Sequence, residues 1–253
     1  MNKKNTLTAE WKNHWNKKTI AFGLKQIQDE TYYTECLTKL FKKRDKVLEA
    51  GCGLGRYCFW LDRKGVKAIG IDITRKAITK ANEYAKEKNY KCKFVTGDVR
   101  KLPFNDNYFD GYISLGVIEH FRDKKDVSQT FSETLRVLKP GGYAFITIPN
   151  PIAIHMLVEK ITFPLRKKTA LYHKAIYKKD LYEHAKIVGF SINKIFYHDC
   201  YFPLYSLIRF VIRRDIYWLK KAMRISLNIF DRVPIVKNFG SGIALIAQKP
   251  HED

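Results

Sequence analysis

The chain has 253 residues, with 47 Lys and Arg against 25 Asp and Glu, for a formal net charge of +22. That length suits one α/β domain, or one with an elaboration, and leaves little room for two complete domains. With 45% hydrophobic and 14% aromatic residues, and only 14 Gly and 8 Pro, the composition excludes a disordered, collagen-like or low-complexity chain.

The basic residues at the N-terminus have no apolar stretch behind them, so no signal peptide is expected. No window of about 18 residues is apolar enough to cross a bilayer. Trp11, Trp15, Phe22 and Ile27 recur at helical spacing, and Tyr32 to Phe41 continues the pattern, so 1–46 reads as a helical cover. Lys46–Ala50 is a short buried strand that runs into a glycine cluster. Arg56–Lys64 suits a helix closed by Gly65. Ala68–Asp72 reads as the second strand and Thr74–Asn89 as a helix. Lys93–Thr96 is a third strand, Phe109–Leu115 a fourth, and Val127–Leu138 a helix. After the turn Lys139-Pro140-Gly141-Gly142, Gly142–Ile148 is a fifth strand. Lys178–Val188 looks helical, a sixth strand starts near Gly189, and Ile243–Ala247 gives the last. Strands alternating with helices at this pitch imply a parallel sheet covered on both faces.

Five Cys, at 36, 52, 58, 92 and 200, form no CxxC pair, which argues against a disulfide framework and a zinc site. His155, His173, His184 and His198 form no spaced ligand set with carboxylates, so no metal is expected. A reduced, cytoplasmic protein is the expectation.

The sharpest motif is Val47-Leu48-Glu49-Ala50-Gly51-Cys52-Gly53-Leu54-Gly55. A strand ending in close glycines and opening a helix lets a ligand approach the backbone, and the helix N-terminus favours negative charge there. A dinucleotide fingerprint needs its third glycine where this chain has Arg56, and a P-loop needs Gly-Lys-Ser/Thr where it has Gly55-Arg56-Tyr57. Both fail.

From this motif onward the chain resembles the class I S-adenosylmethionine-dependent methyltransferases, over roughly 30–197 and the terminal strand. Asp72 closes Ala68-Ile69-Gly70-Ile71-Asp72-Ile73, Asp98 lies in Val95-Thr96-Gly97-Asp98-Val99, and Phe109–Leu115 and Leu135–Gly142 follow in family order. The resemblance implies a Rossmann-like seven-stranded sheet, six strands parallel and one antiparallel, and S-adenosyl-L-methionine as cofactor. It implies a cofactor set of Glu49, Gly51, Cys52, Gly53, Gly55, Asp72, Ile73, Asp98, Val99 and Leu115. Within that set Asp72 would take the ribose hydroxyls, Asp98 the adenine side and Glu49 the methionine ammonium. Plainer readings stand beside these. Asp72 could cap the next helix, Asp98 could be ordinary turn chemistry, and Glu49 could be the buried partner of an Arg or Lys. The loop Gly116-Val117-Ile118-Glu119-His120-Phe121 offers His120 as a general base for a hydroxyl acceptor, or as a residue that packs over the cofactor or orients the loop. Ser114-Leu115-Gly116-Val117 stands where base-amine methyltransferases carry Asn/Asp-Pro-Pro-Tyr/Phe, which weakens a nucleic-acid reading.

The charge excess is greatest after residue 150, with +10 over 151–253 against +6 in each of 1–46 and 47–150. Such an excess fits an anionic membrane, an anionic substrate, RNA, or only solvent. Residues 201–230 hold six basic residues and one acid, with Arg209, Arg213, Arg214, Lys220, Lys221 and Arg224 on one helical arc and the apolar residues opposite. That is the pattern of a helix lying in a membrane surface, and equally of a lid with its charges in water. The expectation is therefore one methyltransferase domain, 1–253, with lid or insertion segments at 151–176 and 198–240. It would methylate a small-molecule or lipid-linked acceptor, at oxygen, with peripheral contact to the inner membrane face through 201–230. An RNA methyltransferase and a non-catalytic cofactor-binding subunit are the alternatives.

Overall fold

A computed structural model of the chain describes Ile20, Leu24 and residues 31–153, 174–198 and 240–251. The elements run α1 (Thr31–Leu40), β1 (Lys46–Ala50), α2 (Arg56–Arg63), β2 (Lys67–Asp72), α3 (Arg75–Glu87), β3 (Lys93–Thr96), β4 (Phe109–Leu115), α4 (Lys124–Val137), β5 (Leu138–Pro149), α5 (Lys178–Val188), β6 (Ser191–His198) and β7 (Gly242–Gln248). One seven-stranded sheet results, in the order β3-β2-β1-β4-β5-β7-β6. Only β7 runs against its neighbours, pairing antiparallel with both β5 and β6. This is the expected sheet of six parallel strands and one antiparallel.

The strand residues dictate two apolar layers because successive side chains point to opposite faces. Val47 and Ile113 pack into one layer with Leu37, Phe41, Phe59, Leu61 and Ile78. Leu48 and Tyr112 point into the other, with Phe131, Val137, Leu181 and Phe190. Helices α1, α2 and α3 thus cover one face and α4 and α5 the other. Ile20 and Leu24, from the expected N-terminal cover, are buried in the first layer.

Several boundaries differ from the sequence reading, and three of the differences have a clear local reason. Helix α4 starts at Lys124, not Val127, because its first turn is polar and the apolar period begins only at Val127; Asp123 takes the N-cap position. Helix α3 ends at Glu87, and Asn89 then turns left-handed at φ 56°. Residues 139–142, expected as a turn before β5, lie inside it: Leu138 already pairs with Phe109, and an irregularity in register separates that pair from Gly111 and Tyr143. The amphipathic pattern at 201–230 and most of 151–176 lie outside the described residues, as do His155, His173 and Cys200. Among the described residues no helix is long and apolar enough to cross a membrane.

Candidate functional site

The sheet order sets the location. From β1 the chain builds outward to β2 and β3, then returns to place β4 on β1's other side. The C-terminal ends of β1 and β4 therefore diverge at a topological switch point, where open α/β sheets leave a crevice. Gly51 leaves β1 at φ 71° and Gly116 leaves β4 at φ 69°. A Cβ on Gly51 would collide with the Val117 side chain, so the turn after β1 packs directly against the side chain that follows β4.

The glycine turn is held by β2. Ile71 O accepts hydrogen bonds from Gly51 N (2.8 Å) and Cys52 N (3.0 Å). Asp72, buried at the end of β2, accepts from Gly53 N through Oδ2 and from Thr74 N through Oδ1, both at 2.8 Å. Burial raises the Asp72 carboxyl, and those two N–H bonds pull against the rise. Thr74, not Asp72, occupies the N-cap position of α3. Gly55, left-handed at φ 74°, caps the start of α2 and lies so close to the Phe94 ring that a Cβ would overlap it.

Glu49 lies beneath the first turn of α2, where its Oε2 accepts from Cys58 N at 2.8 Å. Burial pushes its carboxyl up to about 7, moderated by the bonds with Cys58 and by Arg56. Its backbone partner is thus a helix N–H, and the Arg56 charge also lowers it. Burial pushes the Cys52 and Cys58 thiols up as well, which makes both poor nucleophiles near neutrality.

A cavity of about 540 Å³ opens at the crevice, lined by Gly51, Asp72, Ile73, Gly97, Asp98, Val99, Arg100, Gly116, Val117, His120 and Phe121. The structure brings Gly51, Asp72, Ile73, Asp98, Val99 and His120 together here, while Glu49, Cys52, Gly53, Gly55 and Leu115 do not line it. Gly53 reaches the site indirectly, as the donor to Asp72. The cofactor set read from the sequence left out Gly97, Arg100, Gly116, Val117 and Phe121, though the quoted motifs contained all of them but Arg100. Gly97 and Gly116 carried the same signal as Gly51, a glycine just after a strand. Arg100 carried none, because a cation two residues past a turn acid is unremarkable.

His120 ends the short 3₁₀ turn Ile118–His120 and is buried at the cavity wall. Its Nε2 lies 3.8 Å from Glu119 Oε1. Burial pushes the Glu119 carboxyl up to about 8, and Glu119 Oε2 has no hydrogen-bond partner among the described residues. At neutral pH Glu119 is therefore largely protonated beside the imidazole. Among the described residues no group of three or more His, Cys, Asp or Glu could hold a metal ion.

The chemistry of this lining fits a nucleoside. A buried carboxylate at a strand end suits a vicinal diol, the Cβ-free turns admit a ligand against the backbone, and the second acid borders the same cavity.

Residues 48–146 match the model of a family described as a methyltransferase domain. The chain is 37% identical over 100 residues to the sterol 24-C-methyltransferase ERG6B of Gibberella zeae, covering 38% of this chain and 26% of that one. It is 30% identical over 169 residues to the ubiquinone biosynthesis O-methyltransferase of Rickettsia akari, covering 65% and 64%. Other relatives are named for tRNA methylation. The matches span less than two thirds of these first relatives' own lengths. Among solved structures, a Pyrococcus horikoshii protein superposes with a TM-score of 0.61 at 25% identity, covering 89% of this chain and 90% of that one.

Proposed function

We propose that this chain, which belongs to the class I S-adenosylmethionine-dependent methyltransferases, transfers a methyl group to a small-molecule or lipid-linked acceptor, at oxygen. The cofactor is S-adenosylmethionine, which brings to the site a methyl group already activated on a sulfonium. The observation that carries the reading is the convergence of Gly51, Asp72, Asp98 and His120 on one cavity at the switch point.

The chain's residues divide the work. Asp72 holds the ribose hydroxyls, with its carboxylate fixed by Gly53 N and Thr74 N. Asp98 and Val99 would border the adenine, and the Glu49 carboxylate, beneath the first turn of α2, would answer the ammonium charge. His120 takes the proton of the acceptor hydroxyl on an imidazole nitrogen, with the neutral Glu119 carboxyl 3.8 Å from its Nε2. The apolar walls, Ile73, Val99, Val117 and Phe121, exclude water. Among the relatives, the ubiquinone enzyme's name specifies an O-methyl transfer and supports an oxygen acceptor of that class. The missing base-amine signature after β4 weighs against RNA, though not against every RNA acceptor.

The test is calorimetric titration of the full chain with S-adenosylmethionine and S-adenosylhomocysteine. Micromolar binding of both, lost on Asp72→Asn, is expected. No binding of either ligand would end this reading.

A further inference from the structure

The crevice occupies one end of the sheet, and the opposite end gathers charge. Strands β1, β2 and β3 run parallel, so the three turns that feed them lie together at the end away from the crevice. The turn before β1 carries Lys42, Lys43 and Arg44. The turn before β2 carries Arg63 and Lys64, and Lys67 opens the strand. The turn before β3 carries Lys88 and Lys91, and Lys93 opens the strand. All nine are exposed.

Hydrogen bonds between the turns set the spacing of this array. Arg44 N donates to Gly65 O at 2.9 Å and Lys67 N to Asp45 O at 2.8 Å. Lys91 N donates to Asp62 Oδ2 at 3.2 Å, and Arg63 Nε to the Tyr90 hydroxyl at 2.7 Å. A Cβ on Gly65 would come within 3.3 Å of Lys43 Cγ, so that side chain lies across the second turn. Three acids stand among the nine cations, which leaves a net charge of +6, and each acid is engaged. Asp45 accepts from Lys42 N at 2.7 Å, Asp62 from Lys91 N, and Glu87 pairs with Lys88 at 2.8 Å. Among the described residues Lys42, Lys43, Arg44, Lys67, Lys91 and Lys93 make no ion pair.

The array also selects a partner. Strands β1 and β3 lie two strand spacings apart, about 10 Å, so the cations face a row of charges and not one small anion. Anchoring in a bilayer takes apolar groups as well as charge. The exposed large apolar residues among those described, Ile152, Tyr177, Tyr182 and Ile187, all lie elsewhere. A membrane at this end would also leave the crevice facing away from it. Arg63 and Lys64 stand over the Tyr90 and Trp60 rings, 5.5 and 5.7 Å from their centroids, so cations rather than open aromatic faces meet the partner. Such a surface takes repeated phosphates, and phosphate contacts carry no sequence information. A single strand bends to follow three turns where a duplex is stiff, and the abundant single strand of a cell is RNA.

We infer that this end of the sheet docks the phosphate backbone of single-stranded RNA without regard to sequence. The RNA is a tether and not the methyl acceptor, because the five residues of β1 hold the two ends about 17 Å apart. The docking does not depend on the cofactor or acceptor reading.

The experiment follows the fluorescence anisotropy of a labelled single-stranded RNA of mixed sequence, titrated with the full chain at rising salt. With about four phosphates engaged, log K should fall against log salt with a slope near about −3. Lys43→Glu, Lys67→Glu and Lys91→Glu together, one from each turn, should weaken binding by ~10-fold or more at ~100 mM salt and flatten the slope by about 2. Lys178→Glu, Lys179→Glu and Lys194→Glu together, a charge-matched control on α5 and β6, should leave affinity within ~3-fold. Both triple variants should melt with the wild type and bind S-adenosylhomocysteine as it does. If the first set melts early, Lys43→Gln, Lys67→Gln and Lys91→Gln decide, with a smaller loss in the same direction expected. A wild type that fails to bind the RNA at ~100 mM salt overturns the inference. Equal weakening by the two charge-matched sets overturns it too, since net charge alone would then be at work. Phosphatidylglycerol vesicles test the rival surface: capture abolished by the first set, with RNA affinity intact, would assign this end to a membrane and overturn the RNA reading. Equal affinity for duplex DNA of the same length would overturn the single-strand assignment.

Discussion

Replacing Asp72 separates the job its carboxylate performs in the fold from the one proposed for it at the ribose. In the folded chain it is the acceptor for Gly53 N and Thr74 N, both buried. Asp72→Ala removes the acceptor and leaves two N–H groups unpaired, each worth about 1–3 kcal/mol when desolvated. Relief of the desolvated charge offsets part of this, so about 2–5 kcal/mol of lost stability is expected. For a chain of this length that corresponds to a Tm lower by roughly 5–20 °C. Asp72→Asn keeps one oxygen and should cost about half as much. On the proposed reading both variants also lose a charged acceptor for the ribose hydroxyls, at about 1.5–3 kcal/mol per hydrogen bond. Loss of one such bond weakens S-adenosylhomocysteine by ~10-fold or more. The assay is a thermal melt of each variant, followed by calorimetry well below the lower Tm. If Asp72→Asn melts early but binds within ~2-fold of wild type, Asp72 is a clamp for the glycine turn and touches no ribose. If Asp72→Ala melts with the wild type, the clamp itself is refuted.

Other consequences follow from the same geometry. Gly51→Ala forces a left-handed alanine, costing about 1–2 kcal/mol, and drives its Cβ into Val117, an overpacking of about 1–3 kcal/mol. The double variant Gly51→Ala, Val117→Ala should recover the second part in a urea titration, and no recovery would contradict the close approach of the two turns. Glu119, raised to about 8 by burial, holds a proton in the folded chain that the unfolded chain releases near its ordinary value of 4.5. The folded state therefore binds the extra proton between those values, and stability falls as pH rises through that window, on the order of 4 kcal/mol by pH 8. Glu119→Gln should flatten that slope in melts from pH 5 to 8; an unchanged slope refutes the assignment. Glu49, raised to about 7, should release a proton when a cationic ligand end binds near α2. Calorimetry in buffers of different ionisation enthalpy should find roughly half a proton released at pH 7 and none in Glu49→Gln. Equal release from both chains would place the ammonium elsewhere.

Much of this fold is legible in the sequence because parallel strands buried on both faces write continuous apolar runs. Lys46–Ala50, Lys93–Thr96 and Phe109–Leu115 were visible to the residue. The start of α4 was not, since a polar first turn at Lys124 has no apolar period to announce it. Residues 139–142 were misplaced for the opposite reason. Pro-Gly-Gly reads as a turn, yet Leu138 is already paired with Phe109, and tertiary pairing overrode the local signal. At the site, the residues with strong local chemistry were found: a glycine turn, and an acid at a strand end. Arg100 and Phe121 were missed because their place depends on Asp98, Asp126 and the return of the chain through β4, none of which is local in sequence. The pattern at 201–230 lies outside the described residues, so the membrane reading still stands on the sequence alone.

The most direct measurement of the central claim is transfer of labelled methyl from S-adenosylmethionine into a cell extract that is afterwards divided into lipid, small-molecule, RNA and protein pools. The account predicts label in the lipid or small-molecule pool, resistant to nuclease and lost with Asp72→Asn. Label confined to RNA, or no label in any pool from a chain that binds the cofactor, would contradict it.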